Sequence, residues 1–216
     1  MRFGKRGHSP QWIKRHITDK FVQLAHQDMY RSRAAYKLRQ LDAKYSFLRR
    51  RGVVVDIGCH PGGWSQVALD RTWAAKGRLE GRVIGVDKVD MEPLDHHTFV
   101  RGDIEDPATV RKVREILSGG RAGVVLADLA PVMTGVKADD HIASVELCRS
   151  AARFAEGVLD KGGWFVSKIF SGYFADQHRE ELARRFGKVR NAKPEASRSD
   201  SKELYFVCSD YLGTWD

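Results

Sequence analysis

The run Val53-Val54-Val55-Asp56-Ile57-Gly58-Cys59-His60-Pro61-Gly62-Gly63-Trp64 sets the fold. Three β-branched residues in a short apolar run mark a buried strand, and the glycines that follow mark a tight turn into a helix. Glycine lets the backbone pass close to a ligand, and a helix start offers free N–H groups. The spacing is not GxGxxG and no GxxxxGK[ST] occurs, so nicotinamide and P-loop nucleotide readings lose support.

Outward from this run the pattern repeats. Strands are predicted at 53–57, 82–87, 97–100, 123–127, 163–169 and 203–209, with helices near 63–75, 107–118, 141–160 and 174–186. Alternating strands and helices imply right-handed crossovers and a mostly parallel sheet covered on both faces. Gly119–Gly120 and Gly162–Gly163 are expected to cap two of the helices. The last strand, after the loop 193–202, is expected to lie antiparallel at one side of the sheet. Towards the N-terminus, Trp12, Ile13 and Ile17, then Phe21, Val22, Leu24 and Ala25, then Ala34, Ala35, Leu38 and Leu41 have helical spacing.

Charge is distributed unevenly. Residues 1–55 hold 14 Lys and Arg against 3 Asp and Glu, and residues 56–216 hold 23 against 25, so the first part carries the whole net +9. A basic extension (1–50) on a near-neutral catalytic domain (51–216) is expected of a protein that grips a phosphate backbone with one region and works with another. Arg2, Lys5, Arg6, Lys14 and Arg15, with no acidic residue among the first 18, also suit a mitochondrial-type presequence. The basic stretch continues through Arg31, Arg33, Lys37, Arg39 and Arg49–Arg51, which targeting does not explain. Three scattered cysteines, Cys59, Cys148 and Cys208, argue against a disulfide framework and a zinc site, so no metal is expected and the compartment is read as reducing. The apolar runs are too short to span a bilayer, so no membrane partner is expected.

In an open α/β sheet, ligands bind beyond the carboxyl ends of the strands. Asp87 ends the second predicted strand, where a carboxylate can accept both hydroxyls of a ribose. Asp103 follows the third, where it can accept from an adenine amino group. Each alone also fits a loop-capping Asp. Together, after the glycine turn, they favour an adenosyl ligand, and S-adenosylmethionine is the cofactor they imply. Asp128 ends the fourth strand at the same edge, and Lys168 sits in an apolar run where a lysine needs a partner.

These residues carry a resemblance. Arg31-Ser32-Arg33-Ala34-Ala35-Tyr36-Lys37-Leu38, Asp56-Ile57-Gly58 with Pro61-Gly62-Gly63-Trp64-Ser65-Gln66, Asp128-Leu129-Ala130-Pro131, Lys168-Ile169-Phe170 and Lys193-Pro194 through Ser197-Arg198 to Glu203-Leu204-Tyr205 resemble the FtsJ/RrmJ family of ribose 2′-O-methyltransferases. The resemblance implies a Rossmann-like α/β fold with a mostly parallel seven-stranded sheet, helices on both faces and a basic N-terminal helical extension. It implies a catalytic tetrad of Lys37, Asp128, Lys168 and Glu203. Cofactor contacts would come from Gly58, Pro61, Gly62, Gly63, Trp64, Asp87, Asp103, Ile104 and Asp128, and RNA contacts from Arg31, Arg33, Lys37 and Arg198.

In such a site Lys168 would act on a ribose hydroxyl as a base, or by steering its lone pair toward the sulfonium methyl. The neighbouring Lys37 favours a neutral Lys168 and the carboxylates favour a charged one, so its protonation state stays open. Cys59-His60 departs from the two small residues usual in the family's turn, and His60 is assigned no catalytic role.

Gly62-Gly63-Trp64 and the lead-in Trp12…His16…Asp19…Phe21-Val22 resemble the ribosomal branch, and the tail Lys193–Arg198 with the wide spacing from Trp64 to Asp87 resembles, within it, mitochondrial members that modify a uridine in the A-loop of large ribosomal RNA. The implied partners are ribosomal RNA, the large ribosomal subunit or its precursor, and neighbouring ribosomal proteins or assembly factors. The implied location is the mitochondrial matrix, with a bacterial-type cytoplasm as the alternative. A tRNA 2′-O-methyltransferase and a catalytically silent assembly factor of the same fold are the competing readings.

Overall fold

The computed structural model describes residues 17–50, 52–72 and 82–213. Trp12, Ile13, the basic residues up to Arg15, Arg51 and positions 73–75 of the predicted helix lie outside the described residues. In chain order the elements are α1 (Lys20–Gln27), α2 (Ala34–Tyr45), β1 (Val53–Ile57), α3 (Gly63–Thr72), β2 (Arg82–Asp87), β3 (His97–Arg101), α4 (Pro107–Ile116), β4 (Ala122–Ala127), α5 (Lys137–Val158), β5 (Leu159–Phe170), α6 (Tyr173–Ala183), β6 (Phe186–Ala192) and β7 (Glu203–Tyr211).

One seven-stranded sheet has the order β3-β2-β1-β4-β5-β7-β6. The pairs among β1 to β5 are parallel, whereas β7 runs antiparallel to both β5 and β6. Strands buried on both faces explain the unbroken apolar runs in the sequence. Along β1, Val55 and Ile57 join Ile84, Val86, Val125 and residues of α4, α5 and α6 in one core. Val54 points the other way, into a second core with Ala35, Leu38 and Leu41 of α2 and Trp64 and Val67 of α3. Local chemistry starts the helices: Asp19 caps α1 by accepting from the Phe21 N–H, and Asp106 caps α4 just before Pro107.

Three expectations need correction. Gly162–Gly163 do not cap a helix, because α5 ends at Val158 and passes directly into β5 with an extended Leu159. They form an irregularity inside β5, where the register with β4 shifts and a Cβ on Gly163 would meet the Asp160 carbonyl oxygen at 2.8 Å. The stretch 186–192 is an edge strand that the residue pattern does not mark. Only its ends, Phe186 and Ala192, are buried, so no alternation shows in the sequence. Its pairing also moves β7, antiparallel as expected, from the side of the sheet into its interior. By contrast, the expected turn at Gly119–Gly120 is present, with Gly119 at φ +82° and the Gly120 N–H donating to the Leu117 carbonyl.

Candidate active site

After β1, β2 and β3 the chain returns to place β4 on the free side of β1, so the sheet's switch point lies between β1 and β4. The glycine turn leaves β1 there, and Asp128 follows the last residue of β4. Gly58 is at φ +72° with its N–H donating to the Val86 carbonyl, and a Cβ there would run into Leu129 Cδ2. Glycine is therefore required by both conformation and space. A cavity of about 660 Å³ opens beside it, lined by Gly58, Asp87, Asp103 and Ile104 on one side and Leu129 to Val132 on the other.

Both carboxylates are held before any ligand arrives. Asp87 accepts from the His60 N–H and the Val89 N–H, each at 2.9 Å. Asp103 accepts from the Glu105 N–H at 3.0 Å and pairs with Lys88 at 2.8 Å. The Lys88 hydrogen bond, with that N–H, holds the Asp103 carboxyl below its usual range. Each oxygen keeps a further lone pair for a ligand donor.

Pro61, Gly62, Gly63 and Trp64 do not line this cavity. Their turn is stitched to the N-terminal segment instead. Arg31 donates through its guanidinium to the carbonyls of Pro61 (3.2 Å), Glu92 (2.5 Å) and Pro93 (2.7 Å), and its N–H donates to Gln66 Oε1 at 2.8 Å. A Cβ on Gly62 would press on Met91 and Arg31, and one on Gly63 would strike Ser32 Oγ. The Trp64 indole donates to the Ala34 carbonyl at 2.8 Å and lies 5.8 Å from the Tyr205 ring, buried in the core. What these residues present to the sheet edge is backbone, the first turn of α3, whose N–H groups have no intrahelical acceptors.

The four tetrad residues converge as two ion pairs. Lys168 Nζ lies 3.1 Å from Asp128 Oδ1 and 3.0 Å from the Asp128 backbone oxygen. Lys37 Nζ lies 2.7 Å from Glu203 Oε1, with side chains only 8% and 11% exposed. Strand register explains the convergence. Lys168 pairs with Tyr205 and Phe170 with Glu203 across β5 and β7, so Lys168, Tyr205 and Glu203 share the face covered by α2. Burial works against ionisation of Glu203, but the Lys37 ion pair and the Lys168 charge outweigh it and hold its carboxyl below the usual range.

Two further residues belong to this centre. Tyr205 donates its hydroxyl to Asp128 Oδ1 at 2.7 Å, on the oxygen that also meets Lys168. It stands two positions from Glu203 on one strand, and that period was the signal available in the sequence. Asp56 lies buried at the end of β1, accepts from Ser65 Oγ at 2.7 Å, and is pushed up to about 7 by burial, with the Asp128 and Asp87 charges adding to it. No sequence signal set it apart from a strand-end Asp.

Of the other residues expected to meet RNA, Arg33 and Arg198 both reach Asp19 Oδ2, at 3.1 and 3.4 Å. They line a cavity of about 280 Å³ that ends on Glu203. Arg31 is engaged within the protein as described. Among the described residues no cluster of His, Cys, Asp and Glu is placed to hold a metal, and no helix is long and apolar enough to cross a membrane. All three cysteines are buried and free.

A switch-point cavity with acidic residues at the end of β2 and just after β3, beside a carboxylate paired to a half-buried lysine, defines a Rossmann-like methyltransferase dependent on S-adenosylmethionine. The cavity fits that cofactor in size and donor set, with carboxylates for hydroxyl and amino groups and a lining glycine whose Cβ would push Leu129, itself part of the lining, out of place. The chain belongs to the FtsJ-like methyltransferase family, whose pattern matches residues 30–211. It is 41% identical over 213 residues to the ribosomal RNA large subunit methyltransferase E of Cereibacter sphaeroides, covering 97% of this chain and 87% of that protein. It is 42% identical over 211 residues to the protein of the same name from Parvibaculum lavamentivorans, covering 95% and 82%. A crystal structure from Plasmodium falciparum, described as that of a ribosomal RNA methyltransferase, superposes with a TM-score of 0.77 at 37% identity, covering 86% of this chain and all of that one. The two relatives from Cereibacter and Parvibaculum are bacterial, and they lend no support to a mitochondrial branch.

Proposed function

We propose that this protein transfers the methyl group of S-adenosylmethionine to a ribose 2′-hydroxyl of large-subunit ribosomal RNA. The observation that carries the reading is the two ion pairs, the half-buried Lys168–Asp128 and the buried Lys37–Glu203, on one sheet face beside the switch-point cavity. Relatives named for large-subunit ribosomal RNA support the substrate over tRNA. A uridine of the A-loop, in a particle close to assembly, is the target we favour, in a bacterial-type cytoplasm.

Bound in the cavity, the cofactor supplies an electrophilic methyl. Asp87 and Asp103 would hold its ribose and adenine and Gly58 would lie against it, while Gly62, Gly63 and Trp64, outside that lining, would act through the backbone of the turn that leads into α3. A ribose hydroxyl is a weak nucleophile and needs alignment and loss of its proton. Lys168 meets that hydroxyl, either taking the proton or turning a lone pair toward the methyl. Asp128 and Tyr205 fix Lys168, and Glu203 fixes Lys37. The basic N-terminal region, with Arg33 and Arg198, grips backbone phosphates, which give affinity and salt dependence with little sequence choice. Ile104, which lines the cavity next to Asp103, would pack against the adenine.

Incubation with labelled cofactor and immature large ribosomal subunits, followed by mapping of 2′-O-methyl groups, tests this. Label should enter one ribose with the wild type and fall at least about 100-fold with Lys168→Ala, which removes acid–base or positioning catalysis, while cofactor binding is kept. Normal turnover by Lys168→Ala refutes the assignment. Label entering isolated tRNA instead moves the substrate.

A further inference from the structure

We propose that a second cavity, beyond the carboxyl end of β5, receives the base of the nucleotide whose ribose is methylated. This inference rests on reading the tetrad as a ribose-methylation centre. The cavity holds about 240 Å³ and is lined by Met133, His141, Phe170, Ser171, Ser201 and Lys202 among others.

Its position is the first argument. Besides the start of α5, three chain segments build it, and each of these three also carries a tetrad residue. Asp128 opens the loop that leads to Met133, Lys168 precedes Phe170 and Ser171, and Ser201-Lys202 precede Glu203. The Ser171 N–H donates to the Lys202 carbonyl at 2.9 Å, and Phe170 is paired with Glu203 across the strands, which ties the last two segments together. The cofactor cavity ends on Pro131 and Val132 of the first segment, next to Met133. A nucleotide with its ribose on the tetrad therefore has this cavity within reach of its base, while the larger cavity is taken by the cofactor.

Its chemistry is the second argument. Met133 and Phe170 offer apolar and aromatic surface to a flat ring, and Ser171 and Ser201 add hydroxyl groups to the lining; the Ser201 hydroxyl accepts from the Glu203 N–H at 3.1 Å and keeps its proton to donate. A splayed base is held by such a combination of stacking and edge contacts. Lys137 and Lys202 add positive charge at the rim for the flanking phosphates. Asp140 does not compete for the ligand, because its carboxylate accepts from the Thr134 N–H and Oγ and the Gly135 N–H and so shapes the loop.

The wall is fixed in advance by His141. Its Nε2 accepts from the Phe174 N–H at 3.1 Å, which leaves Nδ1 to donate to the Phe170 carbonyl at 3.1 Å. The ring stacks on Phe174, and Gly172 has no Cβ where one would lie 2.7 Å from it. Such preorganisation favours a site that selects its ligand by shape. Met133 is 58% exposed, so shortening it leaves the core intact.

The test uses the full chain with large ribosomal particles, once the methylated position has been mapped with the wild type. Particles rebuilt with either the normal nucleotide or an abasic ribose at that position are assayed with the wild type, Met133→Ala and Phe170→Leu. On the normal particle each variant should lose at least about 5-fold in kcat/KM, the lower end of what losing one stacking surface costs. On the abasic particle the variants should match the wild type, because pocket and base act as a unit. Cofactor affinity measured by calorimetry without RNA should stay within about 2-fold, a ratio small beside the expected loss. Equal losses on both particles, or no loss on the normal one, overturn the base pocket while wild-type transfer upholds the methylation reading. Absence of wild-type transfer to any ribose overturns both.

Discussion

Replacing Lys37 with Met strips the Glu203 carboxylate of its partner in a nearly closed site while keeping the bulk of the lysine stem. The pair is 2.7 Å apart with side chains about nine-tenths covered. Breaking a buried pair by removing one partner costs about 3–5 kcal/mol, and the lower figure suits groups that keep some exposure. For a chain of 216 residues, about 3 kcal/mol corresponds to a fall of about 6–12 °C in Tm. The pH dependence carries the sharper test. The folded-state carboxyl of Glu203 is depressed, so the stability it contributes is present above the unfolded carboxylate range and is lost as pH falls through the folded-state value. In Lys37→Met, burial is left to act against the charge, and protonation relieves the variant. The gap between wild type and variant in urea denaturation should therefore be widest near pH 7 and should narrow toward pH 4. Adding Glu203→Gln should recover part of the loss, because the unpaired charge is gone. A gap that is the same at both pH values, or a double variant whose loss equals the sum of the singles, refutes the reasoning.

Arg31→Ala removes three bonds that tie the turn at Pro61 to the loop at Glu92–Pro93. Calorimetry should show cofactor affinity falling about 10-fold or more, the cost of one or two charge-assisted bonds, with RNA affinity changed far less; the opposite pattern would restore Arg31 to the RNA surface. Asp56→Asn keeps an acceptor for Ser65 and removes a carboxyl raised to about 7. A raised acid binds more protons in the native state, so wild-type stability falls as pH climbs from about 4 to about 7, by on the order of 4 kcal/mol at most. The variant should lose most of that slope in urea melts at pH 5 and pH 8, and an unchanged slope would place its cause elsewhere.

The elements visible in the sequence are those whose signal is local. β1 and β2 are doubly buried, so their apolar runs needed no knowledge of neighbours, and the structure keeps the expected bounds 53–57 and 82–87. Gly58 was legible because a turn between strand and helix demands a residue free of Cβ. The stretch 186–192 was not, since it buries only its ends and is a strand by virtue of pairing with β7. Gly162–Gly163 misled because a glycine pair after a helical run looks like a cap whether the chain turns away or re-enters a sheet.

The same division holds for the site. Lys37 and Glu203 were marked only by the family resemblance, whereas Asp87 at the end of β2, Asp103 after β3, Asp128 after β4, Lys168 in its apolar run and the glycine turn were readable from order and spacing. Their roles toward one another were not. That Lys168 meets Asp128 while Lys37 meets Glu203, that Tyr205 shares an oxygen with Lys168, and that Arg31 directs its donors to Pro61, Glu92 and Pro93 depend on groups 30 to 166 positions apart. Sequence alone determines which chemistry the chain carries, through short-range periodicity, glycine's conformational freedom and the motifs shared with the family. Only the tertiary structure decides which charges are paired and which backbone groups a side chain satisfies, because pairing is a matter of distance, and distance between remote segments is set by how the sheet is ordered.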